Sequence, residues 1–377
     1  MTSTVEQTRP RTHLPFPQST QPSSRNHLPS LDGLRAFSIL LVIICHGAGV
    51  CGHQSDLTDY WGYLGVSIFF VISGTLITWL LIREEEETGS VSLRSFYIRR
   101  ALRILPVFWL FILCVIMLKS IHAVTISSMD ILRAFTFTHN YPFRGHEDYA
   151  WWLHHTWSLS LEEQFYLVWP GLFALLAKRK SVYLAMIMAL SGPTLRVANY
   201  YLLPSLRGQE WQMFHTRIDV LMMGCLAAFL LDSPSWRKRI QNVPANPVLL
   251  ASSIFLLGIE PYVVGHYTGH TLARAAFSMT VPTIEAGVIA FAILILVAGK
   301  ASMASTVFNQ PAVMHVGRIS YGMYLWQQFF LYPSSVSSLR SLLWRVPAIY
   351  LASLCSFNFL EKPFLNLRRK FRRVPAG

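Results

Sequence analysis

Arg35 and His46 lie eleven residues apart in the apolar run LDGLRAFSILLVIICH, residues 31–46. On an α-helix that step is close to three turns, so both side chains share one face, roughly 16 Å apart along the axis. With Arg35 at the inner surface of a membrane, the imidazole falls near mid-bilayer, where an ionisable group is costly unless it is partnered or functional. Two readings stay open at this point: a structural histidine bonded to a neighbouring helix, or a reactive one.

The stretch TWSLSLEEQFYLVWP (156–170) supplies Glu162 and Glu163. If the chain enters the bilayer from outside near Trp157, these carboxylates lie about 8–9 Å below the outer interface. Counting His46 from the inner side of a ~30 Å hydrocarbon core leaves them about 5 Å above it. A carboxylate and an imidazole at similar depth can form a base and its orienter. Adjacent helical residues point about 100° apart, so one glutamate is expected to face His46 and the other to hold structure, for instance by pairing with an arginine.

FYIRRALRILP (96–106) puts Arg100 and Arg103 on one helical face with Arg99 beside them. Such a spacing suits forked binding of phosphate oxygens and equally suits the ordinary basic flank of a membrane span. HTRIDVLMMGCLAA (215–228) contributes Arg217 and Asp219, which are two apart and so cannot face each other. Each needs a partner elsewhere, in an interhelical pair or on a polar substrate. With Trp157 they are the candidate substrate contacts. Arg196 and Glu285 are further charges inside apolar runs, with no role assigned.

These residues must be positioned by membrane helices. The chain of 377 residues is 53% hydrophobic and only 14% charged, far from soluble usage, and its long apolar runs recur with short polar breaks. The expected fold is an all-α integral membrane protein with about ten transmembrane helices: 34–50, 62–82, 103–120, 157–177, 181–203, 215–231, 247–264, 280–298, 318–333 and 341–360. Residues 1–30, rich in Pro, Ser, Thr and Gln, read as a disordered tail. The membrane domain takes 31–362, and a basic tail takes 363–377.

Lysine and arginine orient this layout. With both termini cytoplasmic, 22 of the 32 fall on the inner side, seven fall outside and three within spans. The net charge of +13 is thereby explained as topology, and no nucleic-acid partner is expected. The longest outer connection, about 121–156, carries His122, His139, His146, His154 and His155 with Trp151 and Trp152. It shows no metal-binding motif and reads as the lining of an outer vestibule, so no metal is expected. No GxSxG elbow, P-loop or dinucleotide fingerprint is present, and Ser73-Gly74 reads as a close-packing step between helices.

From Leu31 to about Phe371 the chain resembles the membrane-bound acyltransferase family 3, the O-acetyltransferases of extracytoplasmic glycans and related compounds. The resemblance rests on LDGLRAFSILLVIICH, GVSIFFVISG, FYIRRALRILP, TWSLSLEEQFY, HTRIDVLMMG, GRISYGMYLWQQ and LEKPF, in that order. The family's Arg-x10-His pattern falls on Arg35 and His46, and its Arg-x-x-Arg pattern on Arg100 and Arg103. The resemblance implies transfer of an acyl group, commonly acetyl, from cytoplasmic acyl-CoA to a hydroxyl of an extracytoplasmic glycan or glycosylated metabolite. Acyl-CoA is then a co-substrate, and no tightly bound cofactor is implied. Arg35, Arg99, Arg100 and Arg103 would meet the CoA phosphates. His46 would be general base or transient acyl carrier, with Glu163 or Glu162 orienting it, in a multi-pass protein of the cell inner membrane.

Two departures stand out: Ser67 where the family often has an acid, and Gln327 where it often has a histidine. Neither is expected to touch the proposed core. Without an SGNH hydrolase-like domain after the membrane part, the chain is expected to act alone or with a separate partner. A transporter or flippase of a polar or lipid-linked metabolite is the alternative, since it too needs buried midplane charges. The absence of an internal repeat and of matching broken spans speaks against it.

Overall fold

The computed structural model describes residues 28–141, 151–207, 209–243, 272–332 and 338–371. Among them every regular element is helical. Helices α1 (Pro29–Val50), α2 (Asp56–Thr88) and α3 (Leu93–Ser120) are followed by two short helices, α4 (Ser128–Phe135) and α5 (Trp151–His154). Then come α6 (Thr156–Leu202), α7 (Phe214–Asp232), α8 (Pro234–Asn242), α9 (Leu272–Ala298), α10 (Met303–Phe308) and α11 (Pro311–Phe330). The last helix, α12 (Leu339–Ser356), widens into a π-type turn at Phe357–Glu361 and continues as α13 (Lys362–Arg368).

Local chemistry sets the ends. Pro29 opens α1 at its first positions, where a missing N–H costs nothing, and Asp32 in the first turn complements the helix dipole. Ser55 and Thr58 form a capping box on α2, and Gly89 ends that helix in the left-handed conformation at φ 74°. Helix α3 starts ten residues before the expected span, because Ser92 caps it by accepting from the Ser95 N–H. The arginines at 99, 100 and 103 all lie inside α3, so Arg100 and Arg103 share one helical face as their spacing predicts.

Helix α2 is the axis of the bundle, packed on α1 and α7, while α6 and α9 close over α7, and α11 pairs with α1 and α12. The α2–α7 approach is backbone to backbone: a Cβ on Gly74 would collide with the carbonyl of Leu221, and one on Gly224 with that of Val71. On the outer surface Leu113, Leu175, Leu190, Leu343 and Phe359 stand exposed, as side chains facing hydrocarbon do.

Seven helical stretches among the described residues are long and apolar enough to cross a bilayer. One of them, Trp151–Leu202, has 52 residues, more than twice the ~20 a bilayer needs. It holds the fourth and fifth expected spans, which run on across a break at Ala177 (φ 57°, ψ 168°). The ninth expected span lies in α11, whose Ser320, Tyr324, Gln327 and Gln328 turn inward and lower its hydropathy. The seventh expected span, 247–264, and the N-terminal tail before residue 28 lie outside the described residues.

The break at Ala177 is tied down by Lys178, which pairs with Glu86 at the end of α2 (2.7 Å) and with Asp232 at the end of α7. Its φ/ψ is one that residues with a Cβ avoid and glycine adopts freely. Ala177 is exposed, so its methyl packs little. Ala177→Gly is expected to stabilise the protein by about 1 kcal/mol, read as a higher melting temperature in detergent.

Candidate active site

The charges singled out from the sequence gather at two levels of the bundle. At the level nearer the basic end, α1, α2, α3, α6 and α11 converge on a knot of arginines, carboxylates and tyrosines. Arg35 bonds Asp32 one turn earlier (3.2 Å), and Arg318 of α11 approaches the other oxygen of that carboxylate (3.6 Å). Arg100 lies over the ring of Tyr166, 4.3 Å from its centroid, within electrostatic reach of Glu162 and Glu163. Tyr166 donates to Ser73 Oγ (2.9 Å), and Ser73 donates in turn to Glu162 Oε1 (2.8 Å). Arg103 has Glu361 beside it, carried there by the π-type turn after α12. Tyr321 is within electrostatic reach of Arg103 and of all three glutamates, its hydroxyl donating to the Ile104 carbonyl (3.0 Å).

The four expected phosphate-binding arginines are thus not equivalent. Arg99 is spent on the chain itself: it pairs with Glu84 (2.7 Å) and donates to the carbonyl of Phe371 (3.0 Å). Arg100 and Arg103 make no hydrogen bond or ion pair within 4 Å among the described residues. Their guanidinium forks remain available to an anion, and with Arg35 nearby their mutual repulsion favours one.

At the other level α1, α2, α5, α6 and α9, with one residue each from α7 and α11, surround a cavity of about 740 Å³. His46 lines it together with Trp151, His154, His155, Trp157 and Trp211, and Asp59, Gln54 and Glu210 add polar groups. His46 meets Trp151 edge to face at 5.6 Å, and Trp157 meets Trp211 in the same way at 4.8 Å. The Nδ1 of His46 is buried without a hydrogen-bond partner. Gln327 of α11 approaches the ring without closing a bond of normal geometry. Arg35 is not part of this lining; it stays with the basic cluster.

Among the described residues neither Glu162 nor Glu163 contacts His46: Glu162 takes Ser73 and Tyr166, and both glutamates lie within electrostatic reach of Arg100. The depth count went astray because the connection before α6 folds inward. His139 accepts from or donates to Thr156 Oγ1 (2.9 Å) at the start of α6, and burial pushes its imidazole down to about 4. Helix α6 therefore begins at the level of His46 rather than at the outer interface. Seven residues further on, about 10 Å down the axis, its two glutamates reach Arg100. The expectation that Ser67 and Gln327 stand apart from the core is also corrected. Ser67 accepts from Arg217 Nη2 (3.0 Å), and Gln327 is the side chain that approaches His46.

Arg217 and Asp219 separate in function as their spacing requires. Asp219, fully buried, takes both Nη atoms of Arg196 (3.1 and 3.0 Å) and the hydroxyl of Thr283. Arg217 stacks on Tyr63 (4.3 Å), bonds its hydroxyl, and forms part of the cavity wall with Glu285 near it. Sequence reasoning passed over Tyr166, Tyr321 and Glu361. Their motifs FY, SYG and LEKPF are visible, but nothing local says that they converge. The predicted vestibule residue His146 lies outside the described residues.

Fold and site together define a multi-pass helical membrane protein with a basic cluster at one level and a histidine–aromatic cavity at another. The chain belongs to the acyltransferase domain family, whose model matches residues 28–359. It is 28% identical to the peptidoglycan O-acetyltransferase OatA of Listeria monocytogenes, over 93% of this chain and 58% of that protein. A putative O-acetyltransferase of Staphylococcus aureus strain COL is 28% identical over 81% of this chain and 51% of its own length. The O-acetyltransferase OatA of S. aureus strain NCTC 8325 is 29% identical over 80% and 50%. The chain thus spans a half to three-fifths of the length of these curated relatives. No solved structure matches it.

Proposed function

We propose that this protein is a membrane O-acyltransferase that moves an acyl group, acetyl being the first choice, from acyl-CoA on the cytoplasmic side of the inner membrane to a hydroxyl of an extracytoplasmic saccharide. The observation that carries the proposal is the division of labour along α1. Arg35 sits in a cluster whose Arg100 and Arg103 are free to take phosphate, and His46 sits in an aromatic-lined cavity three turns away. An extended pantetheine arm spans that separation. The cavity walls suit a sugar: indole faces stack on its C–H surfaces, and Asp59, Gln54 and Glu210 offer acceptors to its hydroxyls. That a relative is named a peptidoglycan O-acetyltransferase supports a glycan acceptor here.

In this mechanism the acceptor oxygen attacks the thioester carbonyl while His46 takes the hydroxyl proton. The C–S bond then breaks, and the CoA thiolate leaves and recovers that proton from the imidazolium. Transient acylation of His46 is the two-step variant of the same transfer. Glu162 and Glu163, away from the ring and within electrostatic reach of Arg100, balance the charge of the donor site instead of orienting the base.

The test uses purified protein in detergent with acetyl-CoA and soluble glycan fragments, scored by CoA release and by the added acyl mass on the glycan. Acceptor-dependent release supports the proposal; acetyl-CoA binding without thioester loss overturns it. Arg100→Ala is expected to raise the KM for acetyl-CoA about tenfold or more, because a charge-assisted bond to phosphate contributes about 1.5–3 kcal/mol. Its kcat should stay within about threefold.

A further inference from the structure

His155 is the buried imidazole that the mechanism above leaves unused. It is 2% exposed, it caps the N-terminal end of α6, and it lines the same cavity as His46. Phe111 meets its ring edge-on at 5.2 Å, and Tyr324 lies at 5.4 Å. Neither of its ring nitrogens has a hydrogen-bond partner. The Tyr324 hydroxyl, which could have supplied one, donates to the carbonyl of His155 instead (3.1 Å).

Buried polar atoms are almost always bonded, so an imidazole with both nitrogens open marks a place where something else binds. His46 Nδ1, on the wall of the same cavity, is open as well, and so are both side-chain polar atoms of Gln327, which approaches His46. Five unbonded polar atoms thus belong to three side chains linked through His46: His46 of α1, His155 just before α6 on the same cavity wall, and Gln327 of α11 beside His46.

Resting on the transferase reading above, we propose that His155 is a second catalytic residue, whose ring N–H stabilises the oxyanion of the transfer. A neutral imidazole has one N–H to give. When the acceptor oxygen adds to the thioester, the carbonyl π pair moves onto its oxygen, and His155 donates a hydrogen bond to that developing charge. No proton leaves His155. On collapse the pair returns, the C–S bond breaks and the thiolate takes its proton from His46. A donor held in place before the reaction needs no reorganisation as the charge develops, which makes it worth more than a solvent molecule.

The experiment compares His155→Phe and His155→Leu, which remove the donor, with His155→Gln, which keeps an N–H, and with His46→Ala. All are purified from membranes and checked for monodispersity. Loss of one oxyanion donor lowers kcat by about 10²–10³. That drop is expected for whichever donorless variant folds, with the KM for acetyl-CoA within about threefold, and His155→Gln should recover at least about tenfold of it. A donorless variant with kcat within threefold of the native protein overturns the role of His155, as does a Gln variant no better than Phe or Leu. Should His46→Ala also turn over normally, the transferase reading itself fails; if only His155 proves dispensable, that reading stands.

Discussion

His46→Ala is expected to lower acceptor-dependent CoA release about a thousandfold while leaving a folded, monodisperse protein, since a general base contributes about 10²–10⁴ in rate. The structural side of this expectation is as specific as the chemical one. A histidine retained for stability would be bonded to its neighbours, and its loss would orphan them. His46 has an open Nδ1, an edge contact to Trp151, and a place in the wall of a cavity that already has room for a ligand. Little is stranded when the ring goes. The measurement pairs turnover with a melting curve: lost activity with an unshifted transition is the expected pattern. Near-normal turnover excludes both base and acyl carrier.

Asp219→Ala is expected to do the opposite, removing the fold rather than the chemistry. Its carboxylate is fully buried and receives both Nη atoms of Arg196 together with Thr283, while Arg196 also donates to the carbonyls of Met279 and Thr216. Truncation leaves a guanidinium inside the bundle without its counter-charge, at a cost of about 3–5 kcal/mol. That is a large part of the 5–15 kcal/mol by which a folded protein is typically stable. Gly192 of α6 leaves room for the carboxylate, since a Cβ there would collide with it. The expected result is a sharp drop in the yield of monodisperse protein and in melting temperature. The double variant Arg196→Met/Asp219→Leu should recover much of the loss, since an apolar pair strands no charge. A stable Asp219→Ala protein with only a raised acceptor KM would instead make Asp219 a substrate contact.

How far the sequence reaches shows in how each residue was found. Arg35 and His46 were legible because one continuous helix joins them: backbone hydrogen bonds set a rise of about 1.5 Å per residue, so their shared face follows from counting. The apolar runs likewise specified helices, and the motifs of the acyltransferase domain family marked which stretches matter. The meeting of Glu162 with Arg100 was not legible. It depends on the segment before α6 turning inward, and on Ser73 and Tyr166 arriving from two helices. Gln327 was noticed only as a departure, and His155 only as one of several histidines in a connection. Their approach to His46 needs α11 and α6 in register with α1.

The chain by itself determined its class, its charge layout and the spacing of groups along each helix, because those follow from local hydrogen bonding and the solvent preferences of side chains. Only the tertiary structure decided which carboxylate pairs with which arginine, and which side chains surround His46. Between helices the depth of a residue is set by where backbones can close together, as Gly74 does on Leu221, and that contact joins residues nearly 150 positions apart.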